Sequence, residues 1–512
     1  MAVWRLLAIG MLGCIGSFVL ELLVRPRAAL PWQRPVGCNL LHLGIWCIWY
    51  ALGLALFQRP VFSALTGLAI LMLIVMVNNA KFYSLREPFI FQDFEYFTDA
   101  IRHPRLYIPF LGWTRAALIA MAVVLAAGIG LALESSPLVA LGALAYGVLV
   151  ASICTAGTLL LAAGHATCPN ATHAPEADLG RLGLIASLWR YWRDEVQAID
   201  VAGIQSSLPG HAIGGWDSAA LPDLVVIQSE SFFDARRSFG LLKHEILAAF
   251  DRIRQGGLLH GQLQVPAWGA NTVRSEFAFL SGLAPQDLGV HRFNPYRKFV
   301  GSSPETLATY LRELGYRTLC IHPYPASFYC RDTVYPKIGF DEFIDIAEFA
   351  SAKREGPYVG DRALGDRVIK ELERWREASD KPLFVFVISM ENHGPLHLEK
   401  VAAGDAARLY RAPLPEGCDD LTIYARHLVN ADAMFGAIQA CLLDSPRDSM
   451  LCIYGDHVPI MPRVYSTLGE PDGKTDYVLW HNRRIASESR ATAHDIQDLA
   501  AILLKEVVHR PE

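Results

Sequence analysis

Five apolar runs near 3–24, 38–57, 61–79, 114–134 and 137–163 dominate the first third of the chain, each long enough to cross about 30 Å of hydrocarbon. No other feature restricts the fold so strongly. A backbone inside lipid must satisfy its polar groups within itself, which for single segments means a helix. Of the 512 residues, 52% are hydrophobic and 19% charged, with a mean hydropathy of +0.25. Soluble globules have an apolar share of about 45–50%. The excess is local, so the chain reads as a membrane part followed by a soluble part.

The run at 3–24 is expected to be an uncleaved helix, because the second run follows it with no polar mature region between. "MLGC", ending at Cys14, is a poor lipobox. The segment from Asn78 to Trp113 mixes charges with Phe and Tyr, which suits a stretch lying in the membrane interface. Residues 164–222 read as a juxtamembrane linker that includes an amphipathic helix, "RLGLIASLWRYWRDEVQAI". The expected organisation is therefore a five-helix membrane domain over 1–163, a linker over 164–222 and a soluble domain over 223–512.

A net charge of −5 leaves no electrostatic footprint for nucleic acid. Ten cysteines without a C-x-x-C exclude a zinc ribbon and a thioredoxin motif. Cys168, Cys320, Cys330, Cys418, Cys441 and Cys452 follow the last apolar run at spacings typical of small buried hydrophobes. One or two bridges are compatible with an extracytoplasmic location.

After Pro222 short β-rich runs alternate with helical patterns, which predicts an α/β domain with a mostly parallel sheet. Four strands are informative by their ends. "LPDLVVIQ" runs into Ser229-Glu230, "YRTLCI" into His322, "KPLFVFVISM" into Glu391-Asn392-His393, and "SMLCIYG" into Asp456-His457. Ligands of open α/β sheets bind outside the carboxyl ends of strands, so these four ends are expected to converge. Glu230, Asp456 and His457 offer two carboxylates and an imidazole, a set suited to one divalent ion: Mn²⁺, Mg²⁺ or Zn²⁺. The plainer alternative for Asp456-His457 is a capped turn.

"WGANTVRSEF" places Thr272 after a tight turn and before a helical pattern. Metal coordination can turn this hydroxyl into a nucleophile, and a helix N-terminus favours a bound phosphate or sulfate. The alternative is a simple N-cap.

Taken in order, "SES", "NTVRSEFAFLSGL", "HPYPASFYCRDTVYPKIGFDEF", "MENHGP" and "YGDHVP" resemble the lipoteichoic acid synthase-like and membrane phosphoglycerol transferase branch of the sulfatase and alkaline phosphatase superfamily. The resemblance implies an α/β sulfatase-like fold with Glu230, Thr272, Asp456 and His457 as ligands of one divalent ion, Mn²⁺ by preference, and Thr272 as nucleophile. It also implies a phosphate pocket of His322, Arg331 and His393, with Arg331 expected to fork two phosphate oxygens. Phe328 and Tyr329 fall where the family packs rings around glycerol, with Tyr in place of the usual Trp. "TVRSE" lacks the C/S-x-P-x-R motif of true sulfatases.

The activity so implied is transfer of a phosphoglycerol-type group from an anionic phospholipid, phosphatidylglycerol, to an envelope glycan or polymer through a phosphoryl-threonine. Alternatives are a phosphoethanolamine transferase, a phosphodiesterase or sulfatase-like hydrolase, and a non-catalytic envelope binding module. The implied location is the bacterial cytoplasmic (inner) membrane, multi-pass, with the catalytic domain facing the periplasm or exterior. One observation opposes that orientation. Arg25, Arg27, Arg34, Lys81, Arg86, Arg102 and Arg105 would then lie outside, against the positive-inside rule.

Overall fold

The structure, a computed structural model, describes residues 2–96, 121, 128, 134–197, 203–210, 221–299, 305–484 and 489–508. It divides into two compact units, 1–198 and 199–512.

In the first unit, α1 (Ala2–Glu21), α2 (Val36–Phe57), α3 (Pro60–Leu85) and α4 (Ala143–Thr167) are each long and apolar enough to cross a membrane. The span expected at 114–134 falls almost entirely outside the described residues. α3 continues past the end of its apolar run to Leu85. α2 and α4 touch backbone to backbone. A Cβ on Gly44 would lie 2.6 Å from the Leu161 nitrogen, and one on Gly164 would lie 2.5 Å from that of Leu41. Small residues at such a seam let helices associate where lipid supplies no hydrophobic drive.

Two further helices, α5 (Pro175–Leu182) and α6 (Leu184–Glu195), belong to the same unit. α6 is amphipathic as expected and buries Leu184, Leu188 and Tyr191. Glu21 accepts the Ile185 amide at 3.0 Å and a short hydrogen bond from Arg34, so the end of α1 holds the start of α6. In the segment expected at the interface, Phe89 turns inward among Leu71, Val75, Leu179 and Leu188. Lys81 there is paired with Glu87 at 2.7 Å and Asp93 at 2.6 Å.

The second unit is built on a nine-stranded sheet. Its strands are β1 (Asp223–Ser229), β2 (Leu259–Gln264), β3 (Arg317–Ile321), β4 (Glu342–Ile344), β5 (Leu383–Ile388), β6 (Ser449–Gly455), β7 (Thr475–His481), β8 (Arg490–Ala491) and β9 (His494–Asp495). The order is β8-β2-β7-β6-β1-β5-β3-β4, with β9 also on β2. β6, β1, β5, β3 and β4 run parallel, and β7 is antiparallel to both β6 and β2.

Alternation along β1 builds two layers, as a buried strand must. Val225 and Ile227 join the core that includes α8 (Asp361–Ala378) and α9 (Asp419–Leu443). Leu224 and Val226 join the core with α7 (Thr272–Ser281) and α10 (Ile496–Val508). The four strands singled out by their ends are β6, β1, β5 and β3, adjacent and parallel at the centre of the sheet.

Candidate functional site

Because those four strands are parallel neighbours, their carboxyl ends open on one edge of the sheet. β1 delivers Glu230 and β6 delivers Asp456 and His457. One ligand atom from each of the three lies within 4.8 Å of the others. All three residues are buried. The close approach of β6 to the β1 loop needs a glycine: a Cβ on Gly455 would fall 1.7 Å from the Phe232 carbonyl oxygen.

Backbone bonds aim the ligand atoms. Asp456 Oδ1 accepts the amides of Ser231 at 2.8 Å and His457 at 2.9 Å. Its Oδ2 is buried with no hydrogen-bond partner among the described residues. His457 Nδ1 donates to the Val458 carbonyl at 3.1 Å, which leaves Nε2 toward Glu230 Oε1 at 3.5 Å and Asp456 Oδ2 at 3.3 Å. Such outer bonds fix the orientation of a metal-ligating histidine. Burial and then the charge of Asp456 push the Glu230 carboxyl up to about 8. An orphaned oxygen, a crowded carboxylate pair and an oriented imidazole together fit a divalent cation.

Thr272 is the first residue of α7, entered through Asn271 at φ 67°. Asparagine tolerates that left-handed conformation better than most residues. Thr272 Oγ1 lies 3.5 Å from His457 Nε2, at the edge of the cluster. Ser275, one turn on, donates to the Asp456 carbonyl at 2.6 Å and ties α7 to the end of β6.

The expected phosphate pocket borders this cluster. His322 Nδ1 donates to the Ile388 carbonyl at 3.0 Å, and His393 Nδ1 to the Gly394 carbonyl at 2.8 Å. A carbonyl only accepts, so each ring carries its proton on Nδ1 and presents Nε2 as the lone-pair nitrogen. Burial holds both histidines below the usual range. For His322 the Arg331 charge adds to it, and His393 in turn feels the charge of Asp456. Tyr358 packs its ring on His393 and brings its hydroxyl to 3.3 Å of Nδ1.

Arg331 differs from expectation. Its Nε and Nη2 grip Glu276 at 3.0 and 2.7 Å, so the fork expected for phosphate is occupied by a carboxylate. Nη1 is buried with no hydrogen-bond partner among the described residues. Tyr296 donates to Glu276 at 2.7 Å, as does Tyr335, and Gln228 reaches it at 3.4 Å. Glu276 was not singled out as a site residue by the sequence. The available signal was its i+4 spacing from Thr272, which puts both on one face of α7.

The Phe328 and Tyr329 rings lie 4.2 Å apart, tilted by 40°. Rings at His322, Tyr324, Phe328 and Tyr329 form a continuous run, and the Arg331 guanidinium sits 5.2 Å from the Tyr329 centroid. Tyr329 and Cys330 both adopt positive φ, 57° and 58°. Two consecutive left-handed residues turn the chain between the aromatic pair and Arg331. Strain of this kind collects at functional sites.

Residues 222–506 match the family model described as Sulfatase. The chain is 27% identical over 476 residues to the capsular polysaccharide biosynthesis protein RkpI of Rhizobium meliloti, covering 89% of this chain and 83% of the relative. It is 28% identical over 177 residues to lipoteichoic acid synthase 1 of Bacillus subtilis, covering 33% of this chain and 26% of the relative. Among solved structures, it is similar to the phosphoglycerol transferase GacH of Streptococcus pyogenes in complex with sn-glycerol-1-phosphate. That likeness has 22% identity and a TM-score of 0.46, over 57% of this chain and 75% of the other.

Proposed function

Because this chain belongs to the sulfatase family, we propose that it is a membrane-bound transferase that moves a phosphoglycerol-type group from an anionic phospholipid, phosphatidylglycerol, to an envelope polysaccharide. The observation that carries the reading is the threonine hydroxyl at the edge of three buried ligand groups, one of which, Asp456, has an oxygen with no hydrogen-bond partner among the described residues. Glu230, Asp456 and His457, with Thr272, would hold a divalent ion, Mn²⁺ by preference. Such an ion, when bound, lowers the pKa of the threonine hydroxyl and offsets charge on the phosphate.

In the first step Thr272 Oγ1 forms a bond to phosphorus as the bond from phosphorus to the diacylglycerol oxygen breaks, and the proton given up by the threonine hydroxyl is balanced by one taken up on the diacylglycerol oxygen. In the second an acceptor hydroxyl attacks phosphorus and Thr272 leaves. Arg331 keeps the N–H donors of Nη1 for a phosphate oxygen, with Glu276 fixing its plane. His393 and His322, proton on Nδ1, can each take a proton at Nε2 from the acceptor hydroxyl.

Four apolar helices support a lipid donor, since the enzyme then stands where the donor is. The match to a capsular polysaccharide biosynthesis protein over most of both lengths supports a polysaccharide acceptor. The same reading places residues 223–512 outside the cytoplasmic membrane.

The test uses the full-length protein with phosphatidylglycerol in detergent. Diacylglycerol release should stop with EDTA and return with Mn²⁺ or Mg²⁺. When acceptor is withheld, intact mass should rise by one phosphoglycerol. Full activity after rigorous chelation would remove the reading, and release of free glycerol phosphate with water as sole acceptor would make the protein a hydrolase.

A further inference from the structure

We propose that Cys38 and Cys168 form a disulfide that staples the start of α2 to the end of α4. Their sulfurs lie 3.3 Å apart although the residues are 130 positions apart in sequence. The backbones meet at the same point: a Cβ on Gly37 would fall 2.3 Å from the Cys168 nitrogen. Bridging requires Cα atoms within about 4.4–6.8 Å, and that contact brings the two segments together. Cys38 is the third residue of α2 and Cys168 is the residue that follows α4.

The surroundings hold the pair in place. Arg190, on α6, donates to the carbonyl of Cys168 and, at 2.9 Å, to that of His165. Leu41, Leu182 and Ala186 close over the sulfurs. Both cysteines are buried, so once α5 and α6 have docked each sulfur faces the other.

Compartment decides whether the bond forms. Between Cys168 and the second unit the described chain holds only α5 and α6, of 8 and 12 residues, too short to span. The sulfur pair is therefore on the side of the membrane where the chain continues into the catalytic unit. The proposal thus rests on the reading above that this unit works outside the cytoplasm, where disulfides persist. Formation needs a disulfide-bearing oxidant. One cysteine thiolate attacks it and displaces one of its sulfurs, and the second cysteine displaces the other. The two cysteines lose two protons and two electrons, and the oxidant leaves as its dithiol. The bond would then be an internal record of orientation, independent of the arginine count that argues the other way.

The experiment takes full-length protein from cells whose thiols are trapped with acid and then alkylated with N-ethylmaleimide under denaturing conditions. Peptide mass spectrometry follows, before and after reduction. Alkaline phosphatase fused after residue 512 is assayed in parallel. The expected result is a linked Cys38–Cys168 peptide pair at the summed mass less two hydrogens, lost on reduction and in Cys38→Ser, with an active fusion. Maleimide on both cysteines before reduction overturns the cross-link. In that event an active fusion leaves the outside reading standing, whereas an inactive fusion removes both. The wild-type spectrum decides the cross-link even if Cys38→Ser fails to accumulate.

Discussion

On the Glu276 side of the pocket a buried carboxylate meets a buried guanidinium, with tyrosine hydroxyls completing its shell. On the Glu230 side two buried carboxylates meet an imidazole and a threonine, and one oxygen has no hydrogen-bond partner among the described residues. Both sides are equally dry, yet one is already balanced and the other is short of positive charge. The balanced side fixes the position of Arg331. The unbalanced side is a site for a cation. Burial makes an unpaired charge costly, so the deficit is a binding drive rather than an accident of composition.

The largest break in this contrast comes from Thr272→Ala. It removes the hydroxyl at the unbalanced side and leaves every buried charge in place. Turnover should fall by about 10⁴-fold or more, as when a nucleophile is deleted elsewhere. The metal-free thermal midpoint should hardly move. Diacylglycerol release and the absence of a mass adduct are the measurements. Substantial turnover by the variant would remove Thr272 from the mechanism.

Charge removal should then act with opposite sign on the two sides. Glu276→Gln strands the Arg331 guanidinium and should destabilise the protein by about 3–5 kcal/mol. Glu230→Gln relieves the carboxylate pair, so the chelated protein should become more stable while losing its metal-dependent stabilisation. A pH series sharpens the comparison. Glu230 is raised from the usual 4.5 to about 8 in the folded state, mainly by burial and then by Asp456. The folded state therefore binds more protons than the unfolded state across that window. Stability of the chelated wild type should fall as pH rises from 4.5 toward 8, and Glu230→Gln should flatten the slope. Divalent ion should flatten it too. Equal signs for the two substitutions in chemical denaturation would show that the two sides are not electrostatically distinct.

The unbalanced side was the legible one. Its ligands sit directly after apolar strands, and a parallel sheet brings such ends to one edge whatever the intervening sequence. The balanced side has no local signature. Glu276 meets residues 20, 55 and 59 positions away, and nothing within one segment tells which carboxylate a buried arginine will find. Arg331 was expected to fork a phosphate because its residue type suits that task, and only the fold reveals the competing acid. Phe89 and the Cys38–Cys168 contact escaped for the same reason. Phe89 is covered by α5 and α6, and the cysteines meet where α2 packs on α4, contacts between distant segments that hydropathy within a window does not register.

The smallest expected effect belongs to Ser275→Ala, and it tests whether α7 presents one hydroxyl or two. Ser275 lies one turn after Thr272, carries the same hydroxyl chemistry and is fully buried. Its hydrogen, however, goes to the Asp456 backbone carbonyl at 2.6 Å and not to a ligand atom of the cluster. Its role is then to anchor α7 against β6 and so to set the position of Thr272. Alanine removes one neutral hydrogen bond and leaves a buried carbonyl short of one donor, a loss of about 1–3 kcal/mol in stability. The nucleophile and its ligands remain, so turnover should fall by no more than about tenfold, the equivalent of about 1.4 kcal/mol in the barrier. The covalent adduct should still map to Thr272 by peptide sequencing. A collapse of turnover to the level of Thr272→Ala, with the adduct gone and the thermal midpoint little changed, would transfer the chemistry to Ser275. It would also mean that the ligand cluster faces a different turn of the helix than its geometry indicates.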